Sequence, residues 1–132
     1  MNYRAAGARF QKKVEDYYKA RGYAVQRAGK VVKRFPKAGK WVTITAQEDM
    51  FGAFDLMAVH PQNGIHMIQA TMGGPSAISS RRNKVDGISE LFPSSVFLEL
   101  WTRPERGVMR CEVREDDGSW GGFNTGGKYE AD

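Results

Sequence analysis

Hydrophobic positions repeat along the chain with two different periods, and each period predicts one kind of element. Over residues 5–21, apolar side chains recur every three or four positions, which is the spacing of a helix with one buried face. Ala6, Phe10, Val14 and Tyr17 follow this spacing. Gly22 follows and is expected to end the helix, because glycine adopts the left-handed conformation of a helix C-terminus at almost no cost.

Short runs of β-branched, aromatic and other apolar residues predict a series of strands. These runs cover residues 23–27, 41–45, 54–60, 65–71, 96–101 and 108–114. Pro61-Gln62-Asn63-Gly64 has the composition of a tight turn between two of them. Residues 28–39 are basic and interrupted by glycine, so we expect a loop there, with a strand fragment at Val31-Val32.

A second helix is predicted over residues 78–92, with Ser79 or Ser80 as its N-cap and Pro93 beyond its end. The order of elements indicates an α/β fold in which helices flank a single mixed β-sheet. A length of 132 residues fits one domain, which we expect to span residues 1–117. Residues 118–132 are rich in glycine and predict a loose C-terminal tail.

Composition argues against several classes of protein. The chain contains no apolar run near the roughly 20 residues that a membrane span needs, and its N-terminus leads directly into charged sequence instead of a signal peptide. Cys111 is the only cysteine, so neither an internal disulfide nor a Cys/His zinc cluster is expected. We therefore expect a cytoplasmic protein without a membrane partner, and so compact a chain fits a phage or mobile-element source.

The net charge is +5, but the distribution of charge is more informative than its sum. Twelve lysines and arginines lie in the first 40 residues, opposed only by Glu15 and Asp16. Such a segment suits a surface that follows a phosphate backbone. It also suits a solvated helix face followed by a basic loop. Charge alone leaves both interpretations open.

The two strands that flank the predicted turn carry a group of polar side chains. If the strands pair antiparallel with His60 opposite His66, then Asp55 lies opposite Thr71. In that register the polar groups of both strands, including Gln69, emerge on one face at one end of the hairpin. A shift of one residue would send Gln69 and Thr71 to the other face.

An aspartate at the end of one strand, with a polar-x-polar pair on its neighbour, resembles the PD-(D/E)XK nuclease family. The residues concerned are Phe54-Asp55-Leu56 and Gln69-Ala70-Thr71. The first part of the chain is similar to archaeal-type Holliday-junction resolvases and related small phage nucleases. There a Gly-x-x-x-Glu helix precedes glycine, an aromatic residue and a strand; here residues 7–11 and 21–27 occupy these places. The resemblance covers roughly residues 7–101.

The resemblance implies a restriction-endonuclease-like fold with the order α-β-β-β-α-β-β. It implies an endonuclease or resolvase that uses Mg²⁺ or Mn²⁺ and acts on branched or structured DNA. A homodimer is implied as well, because cutting both strands of a junction requires two active sites. In the family, acidic oxygens hold the metal, which polarises the scissile phosphate, and a lysine adds positive charge.

The family's four site positions are the candidate catalytic residues of this chain, namely Asp55, Gln69, Thr71 and Gln11. Only Asp55 keeps the family's residue. Gln11 and Gln69 stand where the family has glutamates, and Thr71 stands where it has lysine. Glutamine offers an oxygen without charge, and threonine cannot replace an ammonium group. The alternative is therefore an inactive descendant that binds DNA or a protein.

Two nearby acids could restore the missing charge. Asp49 lies six residues before Asp55, in a segment that Gly52 lets bend back, and we expect Asp55 and Asp49 to hold the metal together. Glu15 lies one helical turn from Gln11 and is the other candidate. Alternatively, Asp49 belongs only to a polar loop before the strand.

Basic residues predicted to contact DNA lie in both halves of the chain. The cations of residues 80–84 follow a glycine-containing loop, where the N–H groups of a helix N-terminus would hold phosphates. Arg82 or Lys84 would also supply charge in place of the lysine. The predicted DNA contacts are Arg9, Lys12, Arg27, Lys30, Lys33, Arg34, Arg81, Arg82 and Lys84. A third possibility, a protein with no nucleic-acid role, stays open.

Overall fold

The computed structural model describes residues 3–125 of the chain. It contains two α-helices, α1 (Tyr3–Ala20) and α2 (Pro75–Ile88), and a short 3₁₀ helix at Ser89–Leu91. The strands are β1 (Ala24–Arg27), β2 (Lys30–Lys37), β3 (Lys40–Gln47), β4 (Leu56–His60), β5 (Gly64–Thr71), β6 (Phe97–Glu105), β7 (Val108–Arg114) and β8 (Trp120–Thr125). No helix in this part of the chain has the length and apolar character needed to cross a membrane.

Six strands form one mixed sheet in the order β1-β4-β5-β6-β7-β8. All neighbours in it are antiparallel except β5 and β6, which run parallel because α2 carries the chain across the sheet between them. Strands β2 and β3 pair only with each other and form a separate two-stranded sheet. The α/β class is confirmed, whereas the prediction of a single sheet is wrong.

The two faces of the large sheet carry separate hydrophobic clusters because strand side chains alternate between faces. On one face, Phe10, Val14 and Tyr18 of α1 pack against strand residues that include Ile68 and Trp101. On the other, Val85 of α2 packs with a second set of buried side chains. That set is Ala53, Phe54, Met67 and Leu98. Each helix therefore buries one face of the same central strands.

The end of α1 confirms the role predicted for Gly22. The Gly22 N–H donates to the Lys19 carbonyl oxygen at 3.1 Å, and the Tyr23 N–H donates to the Tyr18 carbonyl oxygen at 3.1 Å. Gly22 itself has a φ of 86°. This pair of bonds is a Schellman motif, which closes the helix and turns the chain into β1.

Helix α2 begins three residues before the predicted start. Gly74 occupies the N-cap position and Pro75 follows it, so a proline without an N–H fills a position where an N–H would lack a helical partner. Ser79 and Ser80 therefore lie inside the helix and do not cap it. As a consequence, the cations of residues 81–84 lie beyond the first turn, away from the unpaired N–H groups.

Two segments that were predicted to be irregular form strands. Strand β2 occupies most of the predicted basic loop; its side chains from residue 32 onward are exposed, so no buried face imposed alternation on the sequence. Strand β8 falls in the predicted loose tail and pairs with β7 from Met109↔Thr125 to Arg114↔Trp120. Its glycines fit there because a Cβ at Gly122 would lie 2.5 Å from the Arg110 guanidinium. The remainder of the predicted tail lies outside the described residues.

Two glycine-to-alanine changes in and after α1 should have opposite effects on stability. Gly22→Ala forces a left-handed conformation on a residue with a Cβ and should lower the free energy of unfolding by about 1 kcal/mol. Gly7→Ala lies inside α1 with no atom near the new Cβ and should raise it by about 1 kcal/mol. Urea unfolding measures both. Equal effects would contradict the assigned helix boundary.

Candidate functional site

The pairing of β4 with β5 decides which polar side chains meet. Leu56 lies opposite Ile68 and His60 lies opposite Gly64, so the predicted pairing of His60 with His66 is wrong by two residues. A shift of two keeps every side chain on its predicted face. The shift does change which residues face each other across the two strands. Extending the observed register by one residue places Asp55 beside Gln69 and not beside Thr71.

Asp55 is held rigidly at the start of β4 by three hydrogen bonds. Its N–H donates to the Ile68 carbonyl oxygen at 2.8 Å, and its own carbonyl oxygen accepts from the Ala28 N–H at 2.7 Å. Its side-chain Oδ2 accepts from the Ala70 N–H at 3.0 Å. The residue is only 4% exposed. Its Oδ1 is buried and has no hydrogen-bond partner among residues 3–125.

Gln69 repeats this pattern on the neighbouring strand. It is 3% exposed, and its Nε2 donates to the Ala70 carbonyl oxygen at 3.3 Å. Its Oε1 is buried and, within the described chain, accepts no hydrogen bond. A buried oxygen left without a partner costs roughly 1–3 kcal/mol. Two such oxygens lie on adjacent strands and on one sheet face, where they could accept hydrogen bonds from a donor or coordinate a cation.

The charge of Asp55 is disfavoured where it stands. Burial raises the pKa of Asp55 to about 7, against the lowering effect of the Ala70 hydrogen bond. The nearby Asp49 carboxylate raises this pKa further, and the Arg81 guanidinium lowers it. Asp49 and Arg81 therefore both act electrostatically on Asp55, although they come from different parts of the chain.

Asp49 reaches the site because residues 49–54 form a tight turn. The Gly52 N–H donates to the Asp49 carbonyl oxygen at 3.1 Å, and the Met50 N–H donates to the Phe54 carbonyl oxygen at 2.8 Å. Gly52 has a φ of 72°, as the predicted bend requires. The Asp49 carboxylate also accepts from Gln47 Nε2 at 2.9 Å, so it is partly engaged by the end of β3.

The donor set suits a hard divalent cation better than a soft one. Asp55 offers a carboxylate oxygen and Gln69 an amide oxygen, and Mg²⁺ binds proteins through one or two carboxylates while keeping several waters. In the part of the chain that the structure describes, no group of three histidine, cysteine, aspartate or glutamate side chains could hold a metal. Among the described residues, a cation here would therefore have at most two acidic side chains as ligands, with an amide oxygen and water as the others.

The structure does not bring the other predicted positions together with Asp55 and Gln69. Thr71 is half-buried, and its Oγ1 accepts from the Gly73 N–H at 3.1 Å, which shapes the turn into α2. Gln11 lies on α1, the helix that covers the opposite face of the sheet. Glu15, the alternative acid, forms ion pairs with Lys19 and Arg27 at 2.5 Å. Burial disfavours its charge, but these two cations hold its pKa below the usual value.

The predicted DNA contacts fall into three groups. Arg27 and Arg82 are engaged by buried acids, since Arg27 pairs with Glu15 and Arg82 Nε donates to Glu112 Oε1 at 3.0 Å. Arg81 acts on the candidate site. The others are exposed cations on α1, β2 and α2. They are Arg9, Lys12, Lys30, Lys33, Arg34 and Lys84, of which Lys12 pairs with Asp16 at 3.1 Å.

A buried polar cluster on the α1 face was missed by the sequence predictions. Glu99 is buried and accepts hydrogen bonds from the Tyr18 hydroxyl and from Trp101 Nε1, the latter at 3.0 Å, and it pairs with His66 Nδ1. The Tyr23 hydroxyl lies 3.3 Å from His66 Nε2. A signal existed: Glu99 shares the inward face of the apolar strand β6 with Trp101, and a charge at such a position requires partners.

Similarity to other proteins gives no further indication of what the site does. Comparisons of the chain with protein-family models, with curated proteins and with solved structures found no match. Its chemistry therefore follows from its own donors, charges and burial.

Asp55→Asn should change how stability depends on pH. A carboxyl whose pKa is raised on folding contributes stability that is complete below about pH 3.8 and lost as pH rises through about 7. Asparagine does not titrate. The free energy of unfolding of the variant, relative to that of the wild type, should therefore rise between pH 4 and pH 8 by on the order of 4 kcal/mol. Urea unfolding at several pH values measures this difference.

Asp117→Asn provides the matched control. The hydrogen bonds from Ser119 hold the pKa of this exposed carboxyl below its usual value, so its contribution to stability has the opposite dependence on pH. If the free energy of unfolding depends on pH in the same way for the wild type and Asp55→Asn, then burial does not raise the pKa of Asp55.

Proposed function

We propose that this chain is a DNA-binding protein of nuclease-like fold that cleaves phosphodiester bonds with a divalent cation, Mg²⁺ or Mn²⁺, held by Asp55 and Gln69. The observation that carries the proposal is the pair of buried, unpartnered oxygens on these two residues, within the described chain. No hydrogen bond from residues 3–125 satisfies them, and a cation would satisfy both.

The topology supports the nuclease-like part of the proposal. If the separate β2–β3 sheet and the last strand, β8, are set aside, the chain runs α1-β1-β4-β5-α2-β6-β7. This is the order α-β-β-β-α-β-β that the resemblance to PD-(D/E)XK nucleases implies. Asp55 precedes the second strand of that series and Gln69 lies on the third, as in the family's motif.

Each residue of the site has a distinct role in the proposal. A bound divalent cation would polarise the scissile phosphate and lower the pKa of a bound water. Asp55 and Gln69 would position that cation, and Asp49 adds negative charge that favours it. Arg81 supplies the positive charge that the family places at the position of Thr71, since it already acts on Asp55. Arg82 is unsuited to this task because Glu112 engages it.

The proposed substrate is branched or structured DNA. The resemblance to junction resolvases motivates this choice and the further proposal that two copies of the chain act together. The second candidate function is an inactive nuclease-like protein that binds DNA without cutting it. The observation that favours it is the donor set, in which no three acidic or histidine side chains of the described residues group together.

Plasmid and junction cleavage should separate the two candidates. With Mg²⁺ or Mn²⁺, the wild type should cut supercoiled plasmid or a four-way junction. Asp55→Ala should lose at least about 100-fold in rate, because the one carboxylate of the pair is removed. Asp16→Ala, which changes an exposed carboxylate on α1, is the matched control and should cut as the wild type does. Junction binding without cutting by the wild type supports the inactive candidate.

Gln69→Glu should strengthen metal binding independently of any cleavage. A second carboxylate beside Asp55 adds charge for the cation and should raise Mg²⁺ or Mn²⁺ affinity on the order of tenfold, about 1.4 kcal/mol. In EDTA the same change should lower the melting temperature, because two buried carboxylates repel each other. Gln26→Glu, the same change on exposed β1, should do neither. Calorimetric titration and thermal unfolding measure both effects, and unchanged affinity would refute the metal site.

A further inference from the structure

The β2–β3 hairpin is an arm that stands apart from the main body. Its strands pair along their whole length, from Lys30↔Gln47 to Lys37↔Lys40, and no other helix or strand of the described residues packs extensively against them. Ala38 and Gly39 form its two-residue turn with φ values of 53° and 76°, the conformation of a tight hairpin turn. Eight residues of strand extend about 26 Å.

The arm carries the whole net charge of the protein. Residues 30–47 include five lysines and arginines and no acidic residue. The remaining 15 basic residues are balanced by the 15 acidic ones, and the net charge of the chain is +5. A uniformly positive projection on an otherwise neutral body concentrates the electrostatic attraction for an anionic partner at one place.

The tip of the arm contains an unfavourable contact that an anion would relieve. Lys37 and Lys40 lie directly opposite each other across the two strands, on the same face. Like charges in such a pair repel and weaken the hairpin. Both side chains are exposed, so a phosphate group could reach them together.

The distribution of cations favours a partner that surrounds the arm over a flat one. By the register, Lys30 and Arg34 lie on one face of the ribbon, and Lys33, Lys37 and Lys40 lie on the other. A ribbon lying on an anionic membrane would place its cations on one face. A ribbon inside a DNA groove meets a phosphate backbone on each side, and the major groove, about 12 Å wide, admits a two-stranded ribbon.

Exposed apolar side chains near the tip indicate contact with bases as well as phosphates. Trp41 is 68% exposed and lies opposite Pro36 in the register. The Arg34 guanidinium lies 5.6 Å from the centre of the Trp41 ring, which keeps the ring and a cation together on one face. Aromatic rings stack on exposed bases, and apolar residues such as proline can wedge between base steps.

We infer that the β2–β3 hairpin is a DNA-binding arm that enters a groove of duplex DNA, holds phosphates with its lysines and places Trp41 against the bases. This inference deepens the proposed function in its choice of DNA, but it does not require the protein to cut. The arm begins at the candidate site, since the Ala28 N–H donates to the Asp55 carbonyl oxygen and the Glu48 N–H donates to the Gly29 carbonyl oxygen at 2.9 Å. A duplex held by the arm is thereby delivered to Asp55.

Binding measured in EDTA tests the arm separately from cleavage. Fluorescence anisotropy with a labelled 20-base-pair duplex, at several salt concentrations, gives the affinity and its salt dependence. Lys37→Gln/Lys40→Gln should weaken binding and reduce the slope of log K against log salt by about two, because about one counterion is released per phosphate contact. Lys13→Gln/Arg106→Gln removes the same charge from exposed positions outside the arm and should leave the slope nearly unchanged.

Trp41→Ala and Trp41→Phe test the contact with bases. The alanine variant should bind about tenfold more weakly with an unchanged salt slope, and the phenylalanine variant should recover most of that loss. Trp41 is exposed, so the circular dichroism spectrum and melting temperature of both variants should stay those of the wild type.

The inference is overturned if the arm variants bind as the wild type does, or if the control loses as much slope as the arm variant. It is also overturned if the wild type prefers vesicles of phosphatidylcholine with 30% phosphatidylserine to the duplex, which would identify a membrane arm. Arm-dependent binding without cleavage supports the arm and refutes the nuclease. Cleavage that is unaffected by the arm variants supports the nuclease and refutes the arm.

Discussion

The antiparallel pairing of β4 with β5 is the constraint on which the rest of the molecule depends. In this register, alternate side chains of the two strands enter the hydrophobic cluster under α1 and the hydrophobic cluster under α2. Both helices therefore pack on the same two strands. It also places Asp55 beside Gln69. The Ala70 N–H then donates a hydrogen bond to Asp55 Oδ2.

Two buried carboxylates on this sheet illustrate opposite solutions to the same physical problem. Glu99 lies on the α1 face, where tyrosine, tryptophan and histidine side chains surround it with donors. Asp55 lies on the α2 face with one backbone donor and one bare oxygen. A buried carboxylate whose oxygens all accept hydrogen bonds can stabilise a core. A buried carboxylate oxygen without a partner lowers stability, and its presence requires another explanation, such as binding. The contrast distinguishes the satisfied carboxylate of Glu99 from the unsatisfied carboxylate of Asp55, on which the proposed function rests.

Much of the fold was predictable because its core elements obey simple periodicities. Helix α1, its glycine stop and strands β4 to β7 follow patterns imposed by a buried face. Strands β2 and β8 were missed for different reasons. The side chains of β2 are exposed over most of its length, and β8 contains glycine at position 122, where a Cβ would lie too close to the Arg110 side chain. Neither strand therefore shows the alternation of apolar and polar residues that is typical of a half-buried strand.

The sequence predicted which face of the sheet carries the residues of the candidate site, but it did not predict which of these residues lie next to each other. The predicted register was wrong by an even number of residues, so Asp55, Gln69 and Thr71 stayed on their predicted side. The cation acting on Asp55 is Arg81 and not Arg82 or Lys84, because α2 begins at Pro75 and Glu112 engages Arg82. Such choices depend on tertiary packing, which a sequence pattern does not contain.

The junction of the arm with the body has a consequence for how this protein can diverge. Among the described residues, the arm pairs with no strand of the large sheet and joins it through the connections around Gly29 and Glu48. Residues can therefore be inserted, deleted or exchanged beyond that point while the interior stays packed. The surface of the arm can therefore vary without changing the packing of the large sheet and its two helices.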